Sequence, residues 1–337
     1  MTGFTFVTTT TTQTEGGNRP AVKWDELNAH VVAAAGGGKV RSIPGIISGL
    51  IDLGEQNLED AAIPVTDEKF RKKFPKYDGS EAQKAVVVAE YAKKENVRFE
   101  TIDGVENLRY VQNPVQQLAV MVDFPQCPTD KGQFFGNSNP LPLRLPLNGE
   151  FTLPGEKVKV VGKPYNIKEM KHDIGGGKSV WAFAKNNGIH KLADAVGLLD
   201  ANGLFTKNRI GELLGKVAQF QFQVYMKPGK SGGEFFTETI KLVGMVPEGV
   251  PVPEVPEGIL HGVNLYAEND PEAVKQLRVA IKNTIKRANN YAGSPLSALL
   301  EANASQTAPQ AAPKEKVEGI APAPKAPDED FDDDVPF

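Results

Sequence analysis

The densest chemistry in this 337-residue chain lies at its end, where six carboxylates fill the seven positions Asp328 to Asp334 and the chain stops at Val335-Pro336-Phe337. Acids this close repel one another and hold a segment extended and hydrated, while Phe337 beside Pro336 makes a compact apolar plug that carries the terminal carboxylate. The combination suits capture by a protein that offers a basic pocket for the acids and an apolar slot for the ring. Catalytic sets are thin by comparison. The string GGGKS at 175–179 suggests a phosphate loop, but that motif needs a glycine five residues before Gly177, where His172 stands, and the preceding EMKHDI is not a buried strand. A basic loop is expected instead. Asp52 is a single carboxylate, Cys127 has no partner in sequence, and His30, His172, His190 and His261 are scattered, so neither a nucleophilic set nor a metal cluster can be assembled. The expectation is a protein that binds rather than catalyses, without a cofactor.

The elements that must position such groups follow from composition and pattern. The length suits one large domain or two smaller ones. No apolar run is long enough to span a membrane and the N-terminus is threonine-rich and polar, so a cytoplasmic protein with no membrane partner is expected. The chain has 38 basic and 42 acidic residues, but six of the acids lie in the last ten positions, which leaves the remainder with 36 acids and a slight basic excess. That asymmetry permits nucleic-acid binding by a local patch.

Residues 1–38 are expected to be a disordered N-terminus with a short helix on Trp24, Leu27, Val31 and Val32, stopped by Gly36-Gly37-Gly38. Residues 39–54 read as a long bent strand or a strand pair, 115–124 as a strand, and 141–147, with its alternating prolines, as an edge strand. Residues 55–113 are polar and charged with one helical stretch, SEAQKAVVVAEYAKKEN, and read as an insertion. A helix is expected over 189–199 on Ile189, Leu192, Ala193, Val196 and Leu199. The clearest hairpin follows: Ala218, Phe220, Phe222, Val224 and Met226 alternate with polar residues, KPGKSGG turns the chain, and Phe236, Ile240 and Leu242 resume. Residues 251–300 form a proline-rich connector and C-terminal helices. The helix opened by Asp270-Pro271 is expected to pack Val274, Leu277, Ile281, Ile285 and Ala288 on the body. Residues 301–327 read as a flexible linker and 328–337 as an acidic protein-interaction tip.

Two resemblances join these pieces. Asp332, Asp333, Asp334, Val335, Pro336 and Phe337 resemble the acidic tip of bacterial single-stranded DNA-binding proteins, with Val at the aliphatic position. Strands, one helix and a terminal hairpin are the order of an OB-fold, a five-stranded Greek-key barrel with a helix between its third and fourth strands. Over about residues 39–250, Asp52-Leu53-Gly54, the helix His190 to Leu199, Leu213-Leu214-Gly215-Lys216 and Met245-Val246-Pro247-Glu248-Gly249 are similar to phage-encoded single-stranded DNA-binding proteins of this type; the insertion departs from them. The resemblance implies a mainly β fold with α additions: an OB-fold over 39–250 with a large insertion, extra helices and disordered termini. It further implies a protein of the host-cell cytoplasm that coats single-stranded DNA during phage replication, recombination and repair. The tip would recruit a polymerase, helicase, primase or nuclease, and a homo-oligomer is compatible with the pattern. A single-strand annealing recombination protein and a replisome adaptor that binds no DNA are the alternatives.

Holding a single strand takes cations along the phosphates and aromatic faces for the bases. The expected stacking residues are Tyr225 on the polar face of its strand, Trp181 and Phe183 after Lys178, Phe235 with parity opposite to Ile240 and Leu242, and Phe135 after Lys131 in a Gly- and Asn-rich loop. The expected phosphate contacts are Arg41, Arg144, Lys171, Lys178, Lys227 and Lys230. Phe220 and Phe222 are assigned to the core. The acidic tail, on its tether, is expected to compete with phosphate for the basic groove.

Overall fold

A computed structural model describes residues 23–147, 149–152, 159–228 and 234–307. The start of the chain, Lys230, the linker beyond 307 and the tip Asp332 to Phe337 lie outside the described residues.

Helix α1 (Trp24–Ala34) buries Leu27 and Val31. It stops where Gly36, Gly37 and Gly38 all take positive φ, a region closed to most side chains. Strand β1 (Arg41–Gln56) is a single long strand with register shifts at Ile47/Gly49 and Asp52/Gly54. Gly45 lets it pack closely, since a Cβ there would sit 2.6 Å from Val122 Cγ1 and 2.8 Å from Phe124 Cε1.

The insertion is a folded unit. Its elements are β2 (Ala61–Pro64), α2 (Glu68–Lys73), α3 (Glu81–Glu90), β3 (Arg98–Ile102) and β4 (Val105–Tyr110), with the strands ordered β2-β4-β3. Asp67 caps α2 and Ser80 caps α3. Val65, Phe70, Tyr77, Val87 and Leu108 form a small core of their own. The expected single helical stretch is thus only α3; the strands escaped notice because they are short and half exposed.

Strand β5 (Val115–Thr129) leads through a 3₁₀ turn to β6 (Leu141–Leu147), which ends the main sheet as its prolines require. Next come β7 (Gly149–Thr152), β8 (Lys159–Lys163), β9 (Tyr165–Asn166), β10 (Glu169–Gly175), β11 (Lys178–Phe183) and α4 (Gly188–Ala195). The Asn187 side chain caps α4 by accepting from Ile189 N–H at 2.8 Å, and the helix ends earlier than expected, at Ala195. The terminal hairpin is β12 (Val217–Pro228) and β13 (Glu234–Gly244), followed by β14 (His261–Val263), α5 (Pro271–Lys275), α6 (Val279–Lys286) and α7 (Pro295–Thr307). Two expectations are corrected here. The helix from Pro271 is broken between α5 and α6 because Arg278 is extended, with ψ 145°, and α7 carries helix into the stretch read as linker from 301.

The fold is mainly β with added helices and several sheets. The main sheet runs β13-β12-β1-β5-β6, with β14 added parallel to β1 and β9 added to β5. No ladder joins β13 to β6 among the described residues, so the hydrogen-bonded ring expected of a closed barrel stops at this seam. Side-chain parity divides β5 between two cores. Val120, Val122 and Phe124 join Leu143, Leu145 and Leu147 of β6, Phe220 and Phe222 of β12, Ile240 of β13 and α4 in the larger core, where the rings of Phe124 and Phe222 lie 4.4 Å apart. Ala119 and Met121 face the other way and meet Ile51, Leu53, Val274, Leu277, Ile285 and Leu296 beneath the C-terminal helices. The packing role expected of that helical segment is therefore met.

Candidate nucleic-acid interface

The hairpin β10–β11 forms a two-stranded sheet separate from the main one. Its register sets Lys171 directly opposite Trp181, on one face. The turn Gly175 to Gly177, with all three φ positive, carries the chain round to Lys178. GGGKS is therefore a hairpin turn and not a loop feeding a helix, which removes the geometry a phosphate loop needs. The Trp181 side chain is 62% exposed, and Lys171 and Lys178 are exposed and make no ion pair among the described residues. An uncovered indole beside the uncommitted Lys171 ammonium can stack a base and hold its phosphate, while Lys178, three positions from Trp181, projects from the other face of the hairpin.

Phe183 has the same parity as Trp181 but the opposite fate. It stands at the foot of the hairpin, its N–H donates to Phe205 O at 2.9 Å, and its ring stacks on Phe205 at 6.3 Å inside the core. A fully buried ring has no face for a base, so the stacking role expected of Phe183 is corrected.

A second patch lies on the outer face of β12–β13. Tyr225 is opposite Thr237 and Lys227 opposite Phe235, so the Tyr, Lys and Phe share one face. Phe235 is 46% exposed, Lys227 is exposed and Tyr225 is half-buried. The Gln223 side chain donates to Gly38 O at 2.8 Å and Asn28 donates to Glu234 O at 3.2 Å, which ties this hairpin to α1 and its glycine stop.

Three other expected residues are engaged elsewhere. Arg144 forms a two-pronged pair with the buried Asp123, Nε to Oδ1 at 2.7 Å and Nη2 to Oδ2 at 2.8 Å, and also donates to Ile259 O at 3.0 Å. This guanidinium compensates a buried charge, and its role as a phosphate contact is corrected. Arg41 is half-buried and donates to Cys127 Sγ at 2.9 Å; burial raises the thiol pKa and the guanidinium opposes that. Phe135 packs edge-on against Trp24, centroids 5.9 Å apart, and lies against the main core, where it fastens α1 instead of offering a free face.

Sequence reasoning missed Arg278. Its Nη1 donates to Glu238 Oε1 of β13 at 2.8 Å and its Nη2 to Arg144 O of β6 at 3.1 Å, so one side chain spans the seam that no ladder closes. Nothing in the local pattern of a basic amphipathic segment marks one arginine for this. Beside it, between β5–β6 and α5–α6, is a cavity of about 440 Å³. Among the described residues no group of three or more His, Cys, Asp or Glu could hold a metal ion, and no helix is long and apolar enough to cross a membrane. The chain matches no family model, and no curated protein or solved structure matches it.

Proposed function

We propose that this chain is a single-stranded DNA-binding protein of the phage-encoded OB type, which coats exposed strands with little sequence preference and recruits replication or recombination proteins through its acidic tip. The observation that carries the reading is the strand order β13-β12-β1-β5-β6 with α4 between β6 and β12. Numbered along the sheet this is 5-4-1-2-3 with a helix between the third and fourth strands, an order that supports an OB-type reading although no ladder closes it among the described residues. The acidic tip, similar to that of bacterial single-strand binders, supports the same reading independently.

Ligands of OB barrels commonly lie across the second and third strands. Here the outer face of β1 and β5 is buried under the C-terminal helices, so the strand's path is assigned to the two hairpins. Lys171, Lys178 and Lys227 would track phosphates while Trp181, Phe235 and Tyr225 stack bases. Every base has a π-face, so such a surface reads little sequence. The tip, with its carboxylates and Phe337, would reach a polymerase, helicase, primase or nuclease in the host cytoplasm and compete with DNA for the cations while the strand is absent.

Fluorescence tests the site directly, because Trp24 and Trp181 are the two tryptophans of the chain. In a Trp24→Phe variant, oligo-dT should quench the remaining emission on stacking, and Trp181→Phe should remove the quench. Binding that leaves Trp181 emission unchanged would move the path off the β10–β11 hairpin.

A further inference from the structure

The cavity between β5–β6 and α5–α6 has mostly aliphatic walls, including Met121, Leu141, Leu143, Ile259, Leu277 and Ile281. Its volume, about 440 Å³, falls in the range of small-ligand pockets. The charges in and beside it balance in number but not in pairing, since the exposed Glu257 forms no ion pair with Lys131 among the described residues. Asp123 is taken by Arg144 and Glu238 by Arg278, which makes two closed ion pairs. Lys131 lines the same cavity and is left over. Among the described residues its ammonium donates no hydrogen bond and makes no ion pair; it lies 5.7 Å from the centroid of the Phe236 ring. A partly buried cation against aliphatic walls, with no acceptor of its own, is a costly arrangement that an anion would relieve.

We infer that this cavity is a binding site for an organic monoanion, a carboxylate or phosphate head on an apolar body, with the Lys131 ammonium as its counter-ion. The head takes the place of the missing acceptor, and the body lies against Met121, Leu277 and Ile281. Arg144 and Arg278 add positive potential without giving up their carboxylates. The chemistry has two sources. One is the chain's own acidic tail, where Phe331 and Phe337 stand among carboxylates up to thirty residues beyond the end of α7; the other is a free small molecule that joins the same two groups. Trp181, Tyr225 and Phe235 do not line the cavity, so the site stands or falls apart from single-strand binding.

Calorimetric titration of the full chain with 3-phenylpropionate and with its neutral amide tests the inference. The acid is expected to bind at least roughly tenfold more tightly than the amide, a charge-assisted hydrogen bond's worth, and Lys131→Met should abolish that preference. Burial and Arg278 push the Lys131 amine down to about 8, with Glu238 acting against them. Affinity for the acid should therefore fall by up to about tenfold per unit as pH rises above about 8. Arg278, Arg144, Asp123, His261 and Glu257 also line this cavity and Glu238 acts on Lys131 from beside it, so the Lys131→Met profile is the reference that isolates the lysine. If that variant fails to fold, the pH dependence of the unaltered chain carries the test, and a flat profile overturns the site. In the full chain carrying both Phe331→Ser and Phe337→Ser, tighter acid binding identifies the chain's own tail as the resident and unchanged binding identifies a free ligand. Equal affinity for acid and amide, or no binding to either the unaltered or the doubly substituted chain, overturns the inference.

Discussion

Trp181 and Phe183 stand two residues apart on one face of one strand, yet one ring is exposed and the other is core. Parity in the sequence places them together; where the hairpin leaves the body decides their roles, and no local pattern encodes that. Trp181→Ala should therefore weaken oligo-dT binding by about 1–3 kcal/mol without shifting the melting temperature. Phe183→Ala should cost about 3–5 kcal/mol of stability in a denaturant titration. The reverse pattern would exchange their roles. Lys131 gives a prediction of unusual sign. Its amine is depressed from 10.5 to about 8 in the fold, so below about 8 the folded state carries a proton it holds poorly, and stability should rise with pH between those two values. In a chain ending at Pro327, with no anion supplied to the cavity, Lys131→Met should accordingly stabilise the protein at neutral pH, on the order of 1–3 kcal/mol by urea unfolding, and should flatten that rise. Loss of stability would mean that the amine has a partner. Arg144 was legible as a cation but not as the mate of Asp123, because the two meet only across the β5–β6 ladder.

At the scale of elements, the β12–β13 hairpin was readable because its apolar and polar residues alternate over a whole strand and one face is core. The insertion was not, since β2, β3 and β4 are only four to six residues long and half exposed. Strand β5 carried a signal that is clear once the layers are known. Leu118 to Val122 is apolar without alternation, the mark of a strand covered on both faces. The second cover is the C-terminal helical layer, whose Leu296 packs in the core with Met121 and Ile51. Leu296→Ala should cost about 2–5 kcal/mol and lower a single unfolding transition followed by circular dichroism. A separate early transition for the C-terminal segment, with the sheet unaffected, would show that this layer is an appendage.

Across the whole molecule, the succession of strands, helix and terminal hairpin was legible along the chain, and the seam was not. Arg278 bridges β13 and β6 from a position 40 residues past Glu238, so its partners are set by tertiary packing alone. The distribution of charge, by contrast, was plain from the start: a slightly basic body and six acids in the last ten residues. If the body binds single strands through Lys171, Lys178 and Lys227, these acids compete with DNA in proportion to their local concentration, and salt weakens both contacts. The most direct measurement is equilibrium titration of fluorescent oligo-dT, and of duplex of equal length, against the full chain and a chain ending at Pro327, at low and at moderate salt. The account predicts preference for the single strand, tighter binding at low salt without the acidic tip, and weakening of both as salt rises. Equal affinity for duplex, or no binding by either chain, would contradict it.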